Sequence, residues 1–567
     1  MIPAAAILHA ISAATLLGLL LGLRSGLDPL RALLALGGGL LTGLASAWTQ
    51  QRADASNPAQ TNLATHPATP GFWGWAAIAL FSCFALRSFL WLAFSDADTL
   101  HVLSPNNLGD LSLHLSFIRQ LVNGDPLWPQ NPIFSGAPLT YPLGMDLFNS
   151  LLVLAGMDVV RSLVWTGLAA CALTGVALWK WGRSFTLAGF LCNGGLAGLL
   201  FLSTGTLEDF QSDTAWKSIP LALFVTQRGL LFALPAGLLL LSSWRARWFH
   251  GPGTRLHPFS ETALYCVLPL FHLHTFLFLS LLLASWALFH KPARRPILLL
   301  LAAAFLPATA LTCAVTHCFH GPSMIGWKPG WMQEDEPFLS FWIGNFGILP
   351  FLIAGLLIAA ARRDRTLALL TVPPTALFLL CCFVRFAPWE WDNTKLMLWS
   401  YLMLLPPLWQ MLAQWHTALR ATAVTALFFS GFLSLLGGLD RTHTGHPIAL
   451  HSTLDAVSDA LRDLPQSTLF IGAPTYNHPL LLLGRRMTMG YEGHVWSHGH
   501  DWLPRKQLVE RILLGAPSWR DDARQLGAHH LFWGPLETEA FPNSTRPWQA
   551  EARCIASGAW GAVYELP

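Results

Sequence analysis

Asp110 and His114 lie four residues apart in "GDLSLHLSF", a spacing that turns both side chains to one face of a helix. A carboxylate beside an imidazole is a proton-accepting pair or half of a metal site. A helix-start acid favoured by the dipole would account for Asp110 without any chemistry. Glu208, Asp209 and Asp213 form a second acidic group, for which solvated loop charge is the plain alternative. Arg228 stands at the edge of the apolar run "FVTQRGLLFALP", where charge is costly unless it is paired or snorkels outward. "HLHTF" sets His272 and His274 in apolar surroundings. "WEWDNTK" brings Glu390, Asp392, Asn393 and Lys395 together, with Lys395 placed either to pair with Asp392 or to hold a phosphate. His478, His494, His498 and His500 crowd among aromatics between 477 and 502, as a plain loop, a lid or a metal site.

The elements that must position these groups are mostly apolar. Of 567 residues, 53% are hydrophobic and 11% charged, and the mean hydropathy is +0.46; soluble domains carry about 25% charge. A net charge of +3 is too small to argue for nucleic acid, and no basic run suggests it, so no nucleic-acid partner is expected. Nine cysteines show no disulfide framework or zinc spacing, though Cys313 and Cys318 flank one helix end and either pair or stay as thiols. The N-terminal run lacks a charged start and a cleavage site, and reads as a retained helix.

Expected spans are 5–23, 29–48, 74–95, 160–179, 185–203, 229–248, 262–289, 296–315, 338–360, 366–385, 395–413 and 419–438. This gives about 12 to 13 membrane helices, because 262–289 is too long for one crossing and reads as broken near "HLHTF". The apolar segment 143–156 is too short to cross and reads as a helix on the outer surface. Basic clusters at 179–183, 244–255, 291–296 and 361–365 fall on one, cytoplasmic, side. The loops 96–145, 207–218, 316–337 and 385–395 and the C-terminus fall on the other; Arg24 and Arg31 fit this scheme poorly. The predicted organisation is extra membrane helices and a cytoplasmic linker over 1–73, a transmembrane domain over 74–440, and an extracytoplasmic α/β domain over 441–567, where "STLFIGAP", "RRMTMGY" and "HHLFWGP" read as strands.

An acid just past an early span, a helix, the run "NGDPLWPQNPIFSGAPLTYP" and a short surface helix resemble the first extracytoplasmic loop of GT-C superfamily membrane glycosyltransferases. Within that superfamily the likeness is to the protein O-mannosyltransferases and a bacterial aminoarabinose transferase-like branch. The matching positions are Asp110, Gly124, Gly136, Tyr141 and Pro142. "GMDVVRSL" resembles the approach to the next span, and the acids at 208–213 fall where the family has a second outer-loop acid. "LTYP" stands where many members have Lys-Pro-Pro, so the family's lysine contact is missing here.

The resemblance implies a GT-C-like, α-helical polytopic fold in the cytoplasmic (inner) membrane. It implies inverting transfer of a hexosyl or pentosyl unit from a polyprenyl-phosphate sugar to a glycan, lipid or protein acceptor on the extracytoplasmic side. Asp110 would be the base, with His114 and Asp209 assisting. Arg228 and Lys395 would hold the donor phosphate, and Tyr141, His272, His274, Asp392, Asn393 and His494 would surround the substrate. No cofactor is certain, with a divalent metal ion an open option. A transporter or flippase of lipid-linked glycan explains the buried charges and broken helices as well, and the folded C-terminus less well. A non-catalytic scaffold of the same fold is the third reading.

Overall fold

The computed structural model describes residues 2–55, 69–253, 255–320, 325–439 and 444–567. Apolar helices occupy the expected spans. Among the described residues seven are long and apolar enough to cross a membrane, or eight if the pair Phe338–Phe346 and Leu349–Arg362, bent by 88°, counts as one. The chain is therefore a multi-pass membrane protein. The expected count is higher because other apolar helices are short or interrupted: Leu273–Phe289 has 17 residues, Arg365–Leu380 has 16, and Thr394–Leu412 contains Lys395, Pro406 and Pro407.

Two expected spans, 160–179 and 185–203, meet in Val159–Leu191, which breaks at Gly182 and Arg183. The second arm stops at Leu191 rather than 203. There Asn193 takes over the backbone: its amide donates to Lys217 O (2.9 Å) and accepts from Ile219 N (2.7 Å). Irregular backbone at this depth is stable only when protein satisfies it. The break expected near "HLHTF" falls at His272, extended between Pro258–Phe271 and Leu273–Phe289, where its Nδ1 accepts from Thr275 N.

The four basic clusters gather at one end of the bundle. Arg245 stacks over Trp181 at 4.1 Å and donates to its carbonyl (3.0 Å), His290 reaches Trp248 O (3.0 Å), and Arg365 donates to Phe289 O (3.0 Å). At the other end Trp391 Nε1 donates to Ala215 O (3.0 Å) and Trp331 Nε1 to Glu390 O (3.1 Å).

Contacts also orient the N-terminal hairpin Ile2–Gly22 and Pro29–Ala55. Its turn docks on the loop between Leu108–Val122 and Gly144–Leu154 through Leu127 N to Gly22 O (3.0 Å). Gly26, at φ +70°, lies so near Gly124 that a Cβ would stand 1.9 Å from the Gly124 carbonyl oxygen. The far end of the hairpin joins the basic side, where Gln50 bonds Arg255 O (3.0 Å). Arg24 and Arg31 therefore do lie on the side opposite the basic clusters, held there by packing.

The C-terminal part is built on a five-stranded sheet in the order Arg486–Met487, Leu469–Ile471, His530–Trp533, Gly561–Glu565, Arg553–Gly558, parallel across the first three and antiparallel across the rest. It is sewn to the loop region between Phe72–Leu90 and Gly144–Leu154. Strand His446–Leu450 pairs with Thr99–Val102, and 132–135 runs beside 487–490 through Met487 N to Pro132 O (2.9 Å) and Gly490 N to Ile133 O (2.8 Å). Leu113, Phe117, Ile133 and Leu139 from the loop share one buried core with Val457, Phe470, Met489 and Val495. Each such side chain contributes about 1.5–3 kcal/mol on burial. The loop helix Leu108–Val122 is thereby clamped between the bundle and the sheet.

Candidate functional site

Asp110 occupies the first turn of Leu108–Val122 and is half-buried. The Thr226 hydroxyl lies within hydrogen-bond reach, and His114, Lys395 and Asp392 act on it electrostatically. Burial raises its pKa above the ordinary carboxylate value; His114 and Lys395 pull the other way, and Asp392 adds to the rise. A carboxylate tuned upward is a better proton acceptor near neutral pH.

His114 does not rely on Asp110 as its hydrogen-bonding partner. Its Nδ1 bonds both carboxylate oxygens of Asp146, at 3.0 and 2.9 Å, with the side chains 3% and 1% exposed. An Nδ1–H held by a carboxylate leaves the lone pair on Nε2. Asp146 opens the helix Gly144–Leu154, which packs inside the protein with no exposed residue and not on the outer surface as expected. Sequence reasoning missed this residue; the available signal was an acid at the start of a short apolar helix.

Lys395 Nζ lies 3.0 Å from Asp392 Oδ1, their side chains 12% and 15% exposed. Asn393 holds the turn that presents them: it is buried, accepts from Phe386 N (3.0 Å) and donates to Cys381 O and Val384 O (both 2.8 Å). With every amide atom committed to backbone, it supports the site and does not line it. His274 is half-buried within the field of Lys395 and Asp392. His272 is buried, its Nδ1 2.7 Å from Thr275 Oγ1, with its ring 5.7 Å from His274.

The C-terminal part roofs this group. Tyr141 packs against His114 (5.8 Å), Phe117 (5.4 Å) and His498 (5.3 Å), and burial pushes its hydroxyl pKa well up, helped by Asp146, Asp110 and Asp392. His494 reaches Gly109, where a Cβ would lie 3.0 Å from its Nε2, so the glycine beside Asp110 admits it. Burial lowers the pKa of His494 to about 4 and that of His498 to about 3, so both rings are neutral at pH 7.

Two expected site residues stand apart. Arg228 is 1% exposed; its Nη2 donates to Asn149 Oδ1 (2.7 Å) and Thr166 Oγ1 (3.1 Å), and Asp146 is the acid that acts on it. Its Nε and Nη1 have no hydrogen-bond partner among the described residues, and the contacts it makes are internal, apart from the Asp110–Lys395 group. Asp209 lies beside Asn106, four residues before Asp110, accepts from Gln211 N (3.2 Å), and has its pKa raised by burial. It flanks the start of the loop helix, outside the Asp110–Lys395 group. Among the described residues no group of three or more His, Cys, Asp or Glu is arranged to hold a metal ion.

No family model matches the chain, and no curated protein does. Its fold is similar to solved archaeal oligosaccharyltransferases from Archaeoglobus fulgidus. For AglB in complex with an inhibitory peptide and a dolichol-phosphate, identity is 10%, coverage 82% of this chain and 70% of that one, and TM-score 0.49. For the enzyme tethered with an acceptor peptide containing the NVT sequon, the values are 11%, 85%, 72% and 0.44. For the apo form they are 10%, 82%, 70% and 0.40.

Proposed function

We propose that this chain is an integral-membrane glycosyltransferase, working on the extracytoplasmic side of the cytoplasmic membrane from a polyprenyl-phosphate sugar. One observation carries the reading: a half-buried carboxylate of raised pKa, Asp110, shares a roofed group with a cation, Lys395, at the end of the bundle opposite the basic clusters. An acceptor hydroxyl attacks C1 of the sugar as Asp110 takes its proton. The C1–O bond to phosphate breaks with inversion, and polyprenyl phosphate leaves with one more negative charge. Lys395, loosened from Asp392, answers that charge. A positioned base contributes about 10²–10⁴-fold, and a preorganised cation stabilises charge where it develops. His114, fixed by Asp146, and Tyr141 bound the sugar; His274 and His494 close the sides; Arg228 balances the charge of Asp146 from below.

The test is transfer from labelled polyprenyl-phosphate sugars by the purified chain in native lipid. Asp110→Asn should lose at least about 100-fold in turnover with an unchanged melting temperature or a higher one. Near-normal turnover in that variant would remove the base assignment.

A further inference from the structure

The loop helix Leu108–Val122 has a second functional face. Arg119 lies nine residues after Asp110, roughly 180° around the helix at 3.6 residues per turn. It lines two adjoining cavities, of about 320 and 400 Å³, that share it. The first is largely apolar, walled by Leu115, Val159, Val160 and Leu454, with Arg161 and His451 at its margin. Val159 and Val160 begin a spanning helix, so this cavity opens where the chain enters the bilayer. The second is formed wholly by the loop helix, its end and the C-terminal part, and adds Arg462, Arg485, Asn123 and Gln466.

Four arginines and one aspartate, Asp158, line the two cavities together. Asp459 sits at the edge, bound to Arg462 (2.5 Å), and Arg485 is spent on the carbonyls of Leu461, Leu464 and Pro465. Arg119 differs. It is half-buried, burial lowers its pKa, and Asp158 and Asp455 act on it only at longer range. Among the described residues it has no ion-pair partner within 4.0 Å. A half-buried guanidinium without a direct counter-charge, above an apolar trough at the membrane edge, matches an amphiphile with an anionic head.

We propose that the Arg119 groove binds a membrane lipid with an anionic phosphate headgroup, the head on Arg119 and Arg161 and the chain against Leu115, Val159, Val160 and Leu454. The site does not depend on the glycosyl-transfer reading, because it lies on the opposite helix face from Asp110.

The full chain in neutral detergent is incubated with equal amounts of phosphatidylglycerol and phosphatidylcholine, and bound lipid is read by native mass spectrometry. Phosphatidylglycerol should be retained about 10-fold better. Arg119→Ala should reduce it to the phosphatidylcholine level, Leu454→Trp should do the same by filling the trough, and Asp110→Asn should leave it unchanged. If Arg119→Ala fails to fold, Leu454→Trp decides. Equal retention of the two lipids, or unaltered retention in the folded variants, overturns the site. Inorganic phosphate that binds at the same concentration as the lipid and displaces it would show an anion site without a lipid, and overturns the proposal as well.

Discussion

His114 Nδ1 is held 2.9 Å from Asp146 Oδ2 between the loop helix and the buried helix Gly144–Leu154, with neither side chain exposed beyond 3%. Asp146→Asn can donate from its amide and so favours the opposite imidazole tautomer. Turnover should fall about 10–100-fold, the scale seen for partners that orient a functional histidine, with a smaller change in KM. Steady-state kinetics beside a thermal melt would separate this from unfolding, because breaking a buried pair also costs about 3–5 kcal/mol.

The ion pair between Lys395 and Asp392 gives a different expectation. In the resting protein Asp392 occupies the cation that the leaving phosphate would need. Lys395→Ala should cut turnover about 10²–10³-fold, as for loss of one preorganised group facing developing charge. Asp392→Asn should free the lysine and lower the donor KM. Both parameters follow from transfer rates across donor concentrations; an unaltered KM in Asp392→Asn would show that Lys395 does not touch the donor.

The roof should loosen in acid. His494 and His498 titrate near 4 and near 3 in the folded chain, against an ordinary value near 6.5. The unfolded chain binds more protons between these values, so stability rises with pH there and is lost as pH falls below about 6.5. The slope is at most about 1.4 kcal/mol per pH unit for each histidine. His498→Phe keeps the ring packing on Phe117 and Tyr141 and should flatten melting temperature against pH between about 4 and 6.5; an unchanged slope would place the acid sensitivity elsewhere.

Much of this arrangement is legible in the chain because it depends on local rules. The break at His272, the short helix 144–154 and the strands around Phe470, Met487 and Phe532 follow from length, periodicity and flanking polar residues. Asp110, Tyr141, His274, Asp392, Lys395 and His494 lie near one another: Asp110, His274, Asp392 and Lys395 stand out as polar groups at or beside apolar runs, Tyr141 through its likeness to the family loop, and His494 as one of four histidines among aromatics. Long-range choices were not legible. Whether Arg228 snorkels or is enclosed depends on Asn149 and Thr166 facing it from two other helices. That His114 prefers Asp146 to Asp110 depends on how two helices dock to bring together residues 32 positions apart. The end of the helix at Leu191 depends on Asn193 finding partners at 217 and 219.

The seam between 132–135 and 487–490 has a consequence for biogenesis. Translation makes Asp110 early, while His494 and His498 follow only after the long apolar helix Thr417–Gly438. Until residues 487–498 have been made, the loop helix lacks the neighbours that cover its acid. On the proposed reading, a nascent chain arrested before residue 444 should be inserted in a membrane yet inactive in the transfer assay, because its acid is still uncovered.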